Sequence, residues 1–205
     1  MTGALRGDHG ACRRQDGDRG ADPIQVAEPD ARGETWPVKP HSPEGVLVTG
    51  VFGSGKSSVA AEITYLLEQQ DELYALLDLD YLGWVGDHAT GRAMMLRNLA
   101  AVAPNYLGLG VTTFVVAYFV RDHSTLRGIK EALGVPLRTV RLSVPLQDIE
   151  ERLAADVTSG RRDDLRDAAA SITASEGVGV EDLVIRNDRQ VSQIAHEVMA
   201  WLGWL

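Results

Sequence analysis

The run Gly50-Val51-Phe52-Gly53-Ser54-Gly55-Lys56-Ser57 has the spacing G-x-x-x-x-G-K-[ST], which turns successive backbone N–H groups toward one phosphate. Gly50, Gly53 and Gly55 can take backbone angles that a Cβ forbids. The helix expected to follow adds the partial positive charge of its N-terminus. In such a loop Lys56 carries an ammonium to the β- and γ-phosphates, and the Ser57 hydroxyl helps to hold Mg²⁺. Ser58 follows the run, and its hydroxyl is better suited to capping its own helix than to a separate role at the phosphates. ATP with Mg²⁺ is the ligand this chemistry calls for.

A second group of residues could do chemistry beside that loop. Asp78 and Asp80 flank Leu79 at the end of an apolar run, where one carboxylate can stand near a metal and the other can orient a hydroxyl and take its proton. Farther along come Arg152, the pair Arg161 and Arg162, and the turn Asn187-Asp188. Asn and Asp bond their own backbone readily, so that turn either borders a base or simply reverses the chain. Arg92 and Arg97 share one amphipathic segment and suit an anionic acceptor, or a solvated helix face; their spacing of five does not put them on one stripe. Tyr81, Trp84 and Tyr118 could line a pocket for a ring-bearing substrate or pack at its rim.

These residues need a scaffold, and the chain alternates short apolar runs with amphipathic ones, the pattern of strands joined through helices into a parallel sheet. Strands are expected at 46–48, 73–79, 112–120, 138–144 and 182–186. Helices are expected at 56–69, 92–103 (closed by Pro104), 124–133, 146–156, 163–175 and 191–202. The run at 112–120 is β-branched and aromatic, as in a strand covered on both faces. Residues 1–44 lack periodicity and are rich in Gly, Asp, Arg and Pro, so they are expected to form a disordered tail before a single domain at 45–205.

Bulk composition narrows the function class. At 44% hydrophobic and 24% charged, the chain has an ordinary globular composition. A formal net charge of −9 argues against a sequence-independent nucleic-acid binder, which needs clustered cations. No apolar stretch approaches the roughly 20 residues that span a bilayer, so no membrane partner is expected. The single cysteine, Cys12, permits no internal disulfide and points to the cytoplasm. Oligomeric state is not written in these features.

A phosphate loop alone does not separate kinases from GTPases or regulatory ATPases. The third apolar run, Phe114-Val115-Val116-Ala117-Tyr118-Phe119-Val120, has no acidic end, and Arg186-Asn187-Asp188 is the nearest match to a guanine-reading motif. Both observations count against a GTPase. The Asp78-Leu79-Asp80 element, following Gly50–Ser57, resembles that of shikimate kinase, gluconate kinase and adenylylsulfate kinase, and the resemblance runs from about residue 45 to 205. It implies a P-loop NTPase three-layer sandwich, with a five-stranded parallel sheet in the order 2-3-1-4-5 and a small helical lid at about 157–163.

The resemblance also implies roles: Asp80 facing the acceptor hydroxyl, Asp78 nearer the metal, Arg161 as a lid arginine, and Arg152 and Asn187 at the nucleotide. Arg152-Leu153 is similar to the start of the lid helix in these kinases, although Ala155 stands where a second arginine is often found. The implied function is Mg²⁺-assisted phosphoryl transfer from ATP to a small-molecule acceptor, a metabolite or a natural product such as an antibiotic. The alternative is an ATP-binding regulatory or accessory protein that transfers nothing.

Overall fold

The computed structural model of the chain describes residues 42–85, 88–154 and 161–205, with backbone alone at 88, 89 and 161. Of the expected tail at 1–44, the part up to residue 41 lies outside the described residues, as does the part of the expected lid at 157–160.

Five parallel strands form one sheet: β1 (Glu44–Thr49), β2 (Tyr74–Asp78), β3 (Thr113–Ala117), β4 (Leu137–Ser143) and β5 (Leu183–Arg186). Their order is β2-β3-β1-β4-β5, as the sequence led us to expect. The helices are α1 (Lys56–Glu68), α2 (Leu79–Leu82), α3 (His88–Gly108), α4 (His123–Leu133), α5 (Leu146–Ala154), α6 (Arg161–Thr173) and α7 (Val191–Leu202).

Alternation along the central strands sorts the core into two layers. Leu47, Phe114 and Val116 join Met95, Leu99 and Ile129 of α3 and α4 on one face. Val46, Val48 and Val115 join Ile63, Ile194 and Val198 of α1 and α7 on the other. All five residues of β3 are buried, which explains a strand without a polar face. Because the strands are parallel, their C-terminal ends emerge at one edge: Val48 is level with Ala117, Asp78 with Ala117, and Thr49 with Arg141.

Three local expectations need correction. The second strand stops at Asp78, not Leu79, and the chain turns at once into α2. Asp78 accepts from the Asp80 amide at 3.2 Å, an N-cap that ends the strand and places Asp80 in the first helical turn. Next, α3 starts four residues before Arg92 and runs through Pro104 to Gly108. Proline in a helix interior forfeits a hydrogen bond at a cost of about 3 kcal/mol. Here Ala103, Tyr106 and Leu107 pack on the core, with Tyr106 edge-on to Phe114 at 6.5 Å, and that burial offsets the loss. Finally, Arg161 and Arg162, expected in a polar break, are the first two residues of α6.

Helix α4 begins with a well-made cap. Asp122 accepts from the Ser124 hydroxyl at 2.7 Å and the Thr125 amide at 2.7 Å, and these bonds hold its carboxyl at about 2. A depressed folded-state pKa gives stability that is complete above the ordinary aspartate range and is lost as pH falls through about 2. Asp122→Ala is expected to lower stability at neutral pH by about 1 kcal/mol, and to flatten the dependence of stability on acid in this range. Urea unfolding at pH 7 and pH 3 checks both.

Candidate functional site

At the C-terminal edge of the sheet, β1 ends at Thr49 and the chain enters the glycine-rich loop. Gly50, Gly53 and Gly55 have φ of 144°, 74° and 91°, in the region that favours glycine. Space is equally tight: a Cβ on Gly55 would stand 2.6 Å from Asn187 Nδ2, and one on Gly50 would stand 2.8 Å from the Leu142 carbonyl oxygen. Gly55 is the N-cap of α1 and makes no side-chain cap, so no side chain of the cap competes for the first-turn N–H groups. Ser54, between the glycines, is wholly buried, and its hydroxyl has no hydrogen-bond partner among the described residues.

Distant segments hold this loop in shape. Asn187, just after β5 and 3% exposed, donates from Nδ2 to the Ser54 carbonyl at 2.7 Å. Its own amide is fixed by the Ser143 carbonyl at the end of β4, at 3.0 Å. Arg152 of α5 donates to the Asn187 carbonyl at 2.7 Å and the Gly53 carbonyl at 3.4 Å. Behind Gly53 lie Ile149 and Leu153, in a small apolar cluster with Val51 and Phe52.

Lys56 is 7% exposed. Its ammonium donates to the Val51 carbonyl at 3.2 Å and lies 5.5 Å from the centre of the Phe52 ring. Burial lowers its pKa, and attraction from Asp80, then Asp78, then Asp164 opposes that shift. Ser57 donates to Asp78 at 2.7 Å, so the two residues expected at the metal are already joined. Asp80 reaches solvent along one side, yet burial of its carboxyl raises its pKa; Lys56 pulls it down and Asp78 pushes it up.

Phe52, Gly53, Gly55, Lys56, Ser57, Asp78 and Asp80 line one cleft of about 1000 Å³ together with Ser58, Arg92, Arg152 and Asn187, whereas Gly50, Val51 and Ser54 do not line it. Arg97 is exposed and lines neither this cleft nor the neighbouring one. Arg161 begins α6, and its side chain lies outside the described residues. The adjoining cleft, about 760 Å³, shares Phe52, Asp80, Arg92 and Tyr118 with the first. Its far wall was missed in the sequence: Arg121 pairs with Glu176, donates to Ser171 Oγ at 3.0 Å, and stacks over Phe119 at 4.7 Å. The signal available was position, since Arg121 follows a buried strand at the same sheet edge as Thr49. Asp164 of α6, also missed, lines the first cleft, and its charge acts on Lys56.

No family model and no curated protein sequence matches the chain. Solved structures do. A sugar kinase from Janibacter sp. HTCC2649 superposes with a TM-score of 0.59 at 18% identity, over 78% of this chain and 95% of that one. The APS kinase of Mycobacterium tuberculosis, in complex with AMPPNP and APS, gives 0.53 at 23% identity, over 80% and 99%. The fold is that of the small-molecule P-loop kinases. A tunicamycin resistance protein from Deinococcus radiodurans shares it, with a TM-score of 0.55 at 20% identity over 80% of this chain and 96% of that one. Among the described residues, no helix is long and apolar enough to cross a membrane.

Proposed function

We propose that the protein binds ATP with Mg²⁺ and phosphorylates a hydroxyl on a small molecule in the cytoplasm. One observation carries this reading: Asp80 shares a single cleft with Lys56 and with the Ser57–Asp78 pair, so a proton acceptor stands beside a cradle for phosphate. The positive-φ, Cβ-excluding glycines and the uncapped start of α1 fit a polyphosphate.

Backbone N–H groups of residues 50–57 would hold the phosphates, with Lys56 offsetting their charge. Asn187 and Arg152 keep the loop in its binding shape through carbonyls of Gly53, Ser54 and Asn187. Among the described residues, no three His, Cys, Asp or Glu side chains gather as a cation cage. Ser57 and Asp78 would therefore hold Mg²⁺ together with phosphate oxygens and water, as that small cation prefers. Bound ATP and Mg²⁺ would supply the transferable phosphoryl group and the neutralising charge. Asp80 orients the acceptor hydroxyl and holds its proton as transfer proceeds. Arg92, on the shared wall of both clefts, binds the acceptor, and Arg161 is assigned to the lid.

Because burial raises the pKa of Asp80, the carboxylate needed as base is lost at a higher pH than for an unperturbed aspartate. The acid limb of kcat/KM is expected at a higher pH than an unperturbed aspartate would give. It should disappear in Asp80→Asn, as a pH–rate profile would show.

One feature favours a second reading, an ATP-responsive protein without transfer. Strand β3 ends at Ala117, with no carboxylate at the place where many P-loop ATPases hold metal and water. ADP release from ATP and Mg²⁺, screened over hydroxylated metabolites and antibiotics with Lys56→Ala as blank, separates the two. Acceptor-dependent release supports the kinase. Calorimetric ATP binding with no release above the blank supports the switch.

A further inference from the structure

Two large aromatic side chains stand in water beside the proposed catalytic carboxylate. Trp84 is 78% exposed and Tyr81 is 71% exposed, and their rings pair at 5.8 Å. Both line the cleft that contains Lys56 and Asp80. Aromatic surface left exposed forgoes the gain of burial, and a cluster of it at a cleft marks a binding surface.

Their outward placement is built in. Helix α2 is fastened by its opposite side: Leu79 is wholly buried, and Asn98 of α3 donates to the Leu82 carbonyl at 2.7 Å. Gly83 lies so close to α3 that a Cβ there would stand 2.5 Å from the Gly91 carbonyl oxygen and 2.8 Å from Met95 Cβ. With that side packed on α3, Tyr81 and Trp84 are left facing the cleft.

The sheet order separates them from the nucleotide end. Asn187, Arg189 and Val191 line the cleft beyond β5, whereas Tyr81 and Trp84 line it beyond β2, and β2 and β5 are the two outer strands. With phosphates on the central β1 loop, a base directed to the β5 side leaves the β2 side for the acceptor. We propose, resting on the phosphotransfer reading above, that Tyr81 and Trp84 form a stacking platform for the acceptor, which is a hydroxylated compound bearing a flat aromatic or heteroaromatic ring. Open-chain polyols and small aliphatic acids would leave this platform uncovered.

Matched probes test it: phenyl against methyl β-D-glucopyranoside, and uridine against ribitol, titrated calorimetrically with saturating AMPPNP and Mg²⁺. The ring-bearing member of a pair should bind about tenfold tighter, the size of one base–aromatic stack. Trp84→Ala should erase that preference, Trp84→Phe should keep most of it, and the affinity for AMPPNP should not change. Equal binding within both pairs, absence of binding included, overturns the platform. So does a preference that survives in Trp84→Ala, or a loss that falls on AMPPNP instead. ADP release is read in parallel. Ring preference that depends on Trp84, with no release above the Lys56→Ala blank for any acceptor, overturns the phosphotransfer reading and leaves the platform standing.

Discussion

Asp80→Asn should reduce phosphoryl transfer by roughly 10²- to 10⁴-fold, the usual contribution of a positioned base, with ATP affinity close to that of the wild type. Asparagine keeps the shape and backbone of the first turn of α2, whose amide is held by Asp78. It removes only the group that can accept a proton. ATP contacts in the proposed site come from residues 50–57, none of which hydrogen-bonds to the Asp80 carboxylate, while Arg152 and Asn187 brace the loop. The substitution also removes the first of the attractions that oppose the effect of burial on Lys56, so the lysine should titrate lower still. Single-turnover rates with acceptor, together with calorimetry for ATP, separate chemistry from binding. Transfer at the wild-type rate would exclude Asp80 as the base. By comparison, Lys56→Ala should remove charge stabilisation worth roughly 10²- to 10³-fold and weaken ATP as well.

The second large effect concerns the loop itself. Gly55→Ala should raise the Kd for ATP by at least about tenfold, because a left-handed angle costs an L-residue roughly 1–2 kcal/mol and the new methyl collides with Asn187. That collision is specific: the nearest atom is Asn187 Nδ2, at 2.6 Å from the added Cβ. Asn187→Ala alone leaves the buried Ser54 carbonyl without its partner, a penalty of about 1–3 kcal/mol. The two losses share one contact, so the double variant should lose less than their sum. Thermal unfolding and ATP titration of the four proteins complete the cycle. Strict additivity would mean that Asn187 does not shape the loop.

Much of this architecture could be read before any coordinate. The glycine spacing located the positive-φ loop between β1 and α1, the β-branched run identified the doubly buried β3, and apolar periodicity set α7 at the observed 191–202. What escaped depended on tertiary contacts. The two carboxylates of Asp78-Leu79-Asp80 appear alike in sequence, yet Asp78 ends a strand and caps α2 while Asp80 opens the helix, a distinction made by one side-chain-to-amide bond. Pro104 signals a helix end locally and is overruled by the packing of Tyr106 and Leu107. The Arg121, Ser171 and Glu176 wall draws on residues about 50 positions apart, with no spacing to recognise. Arg97 shares a helix with Arg92, but only Arg92 falls on the turn that faces the clefts.

The bond from Asn187 to the Ser54 carbonyl spans 133 positions. During synthesis, which proceeds from the N-terminus, the glycine loop leaves the ribosome long before the residue that braces it. A nascent chain that has reached β4 carries the whole motif without its brace, and its hold on nucleotide should tighten only when β5 joins the sheet edge. Ligand that favours the finished form stabilises it by mass action, so ATP bound as proposed would act late in folding and hold newly completed chains in the five-stranded sheet.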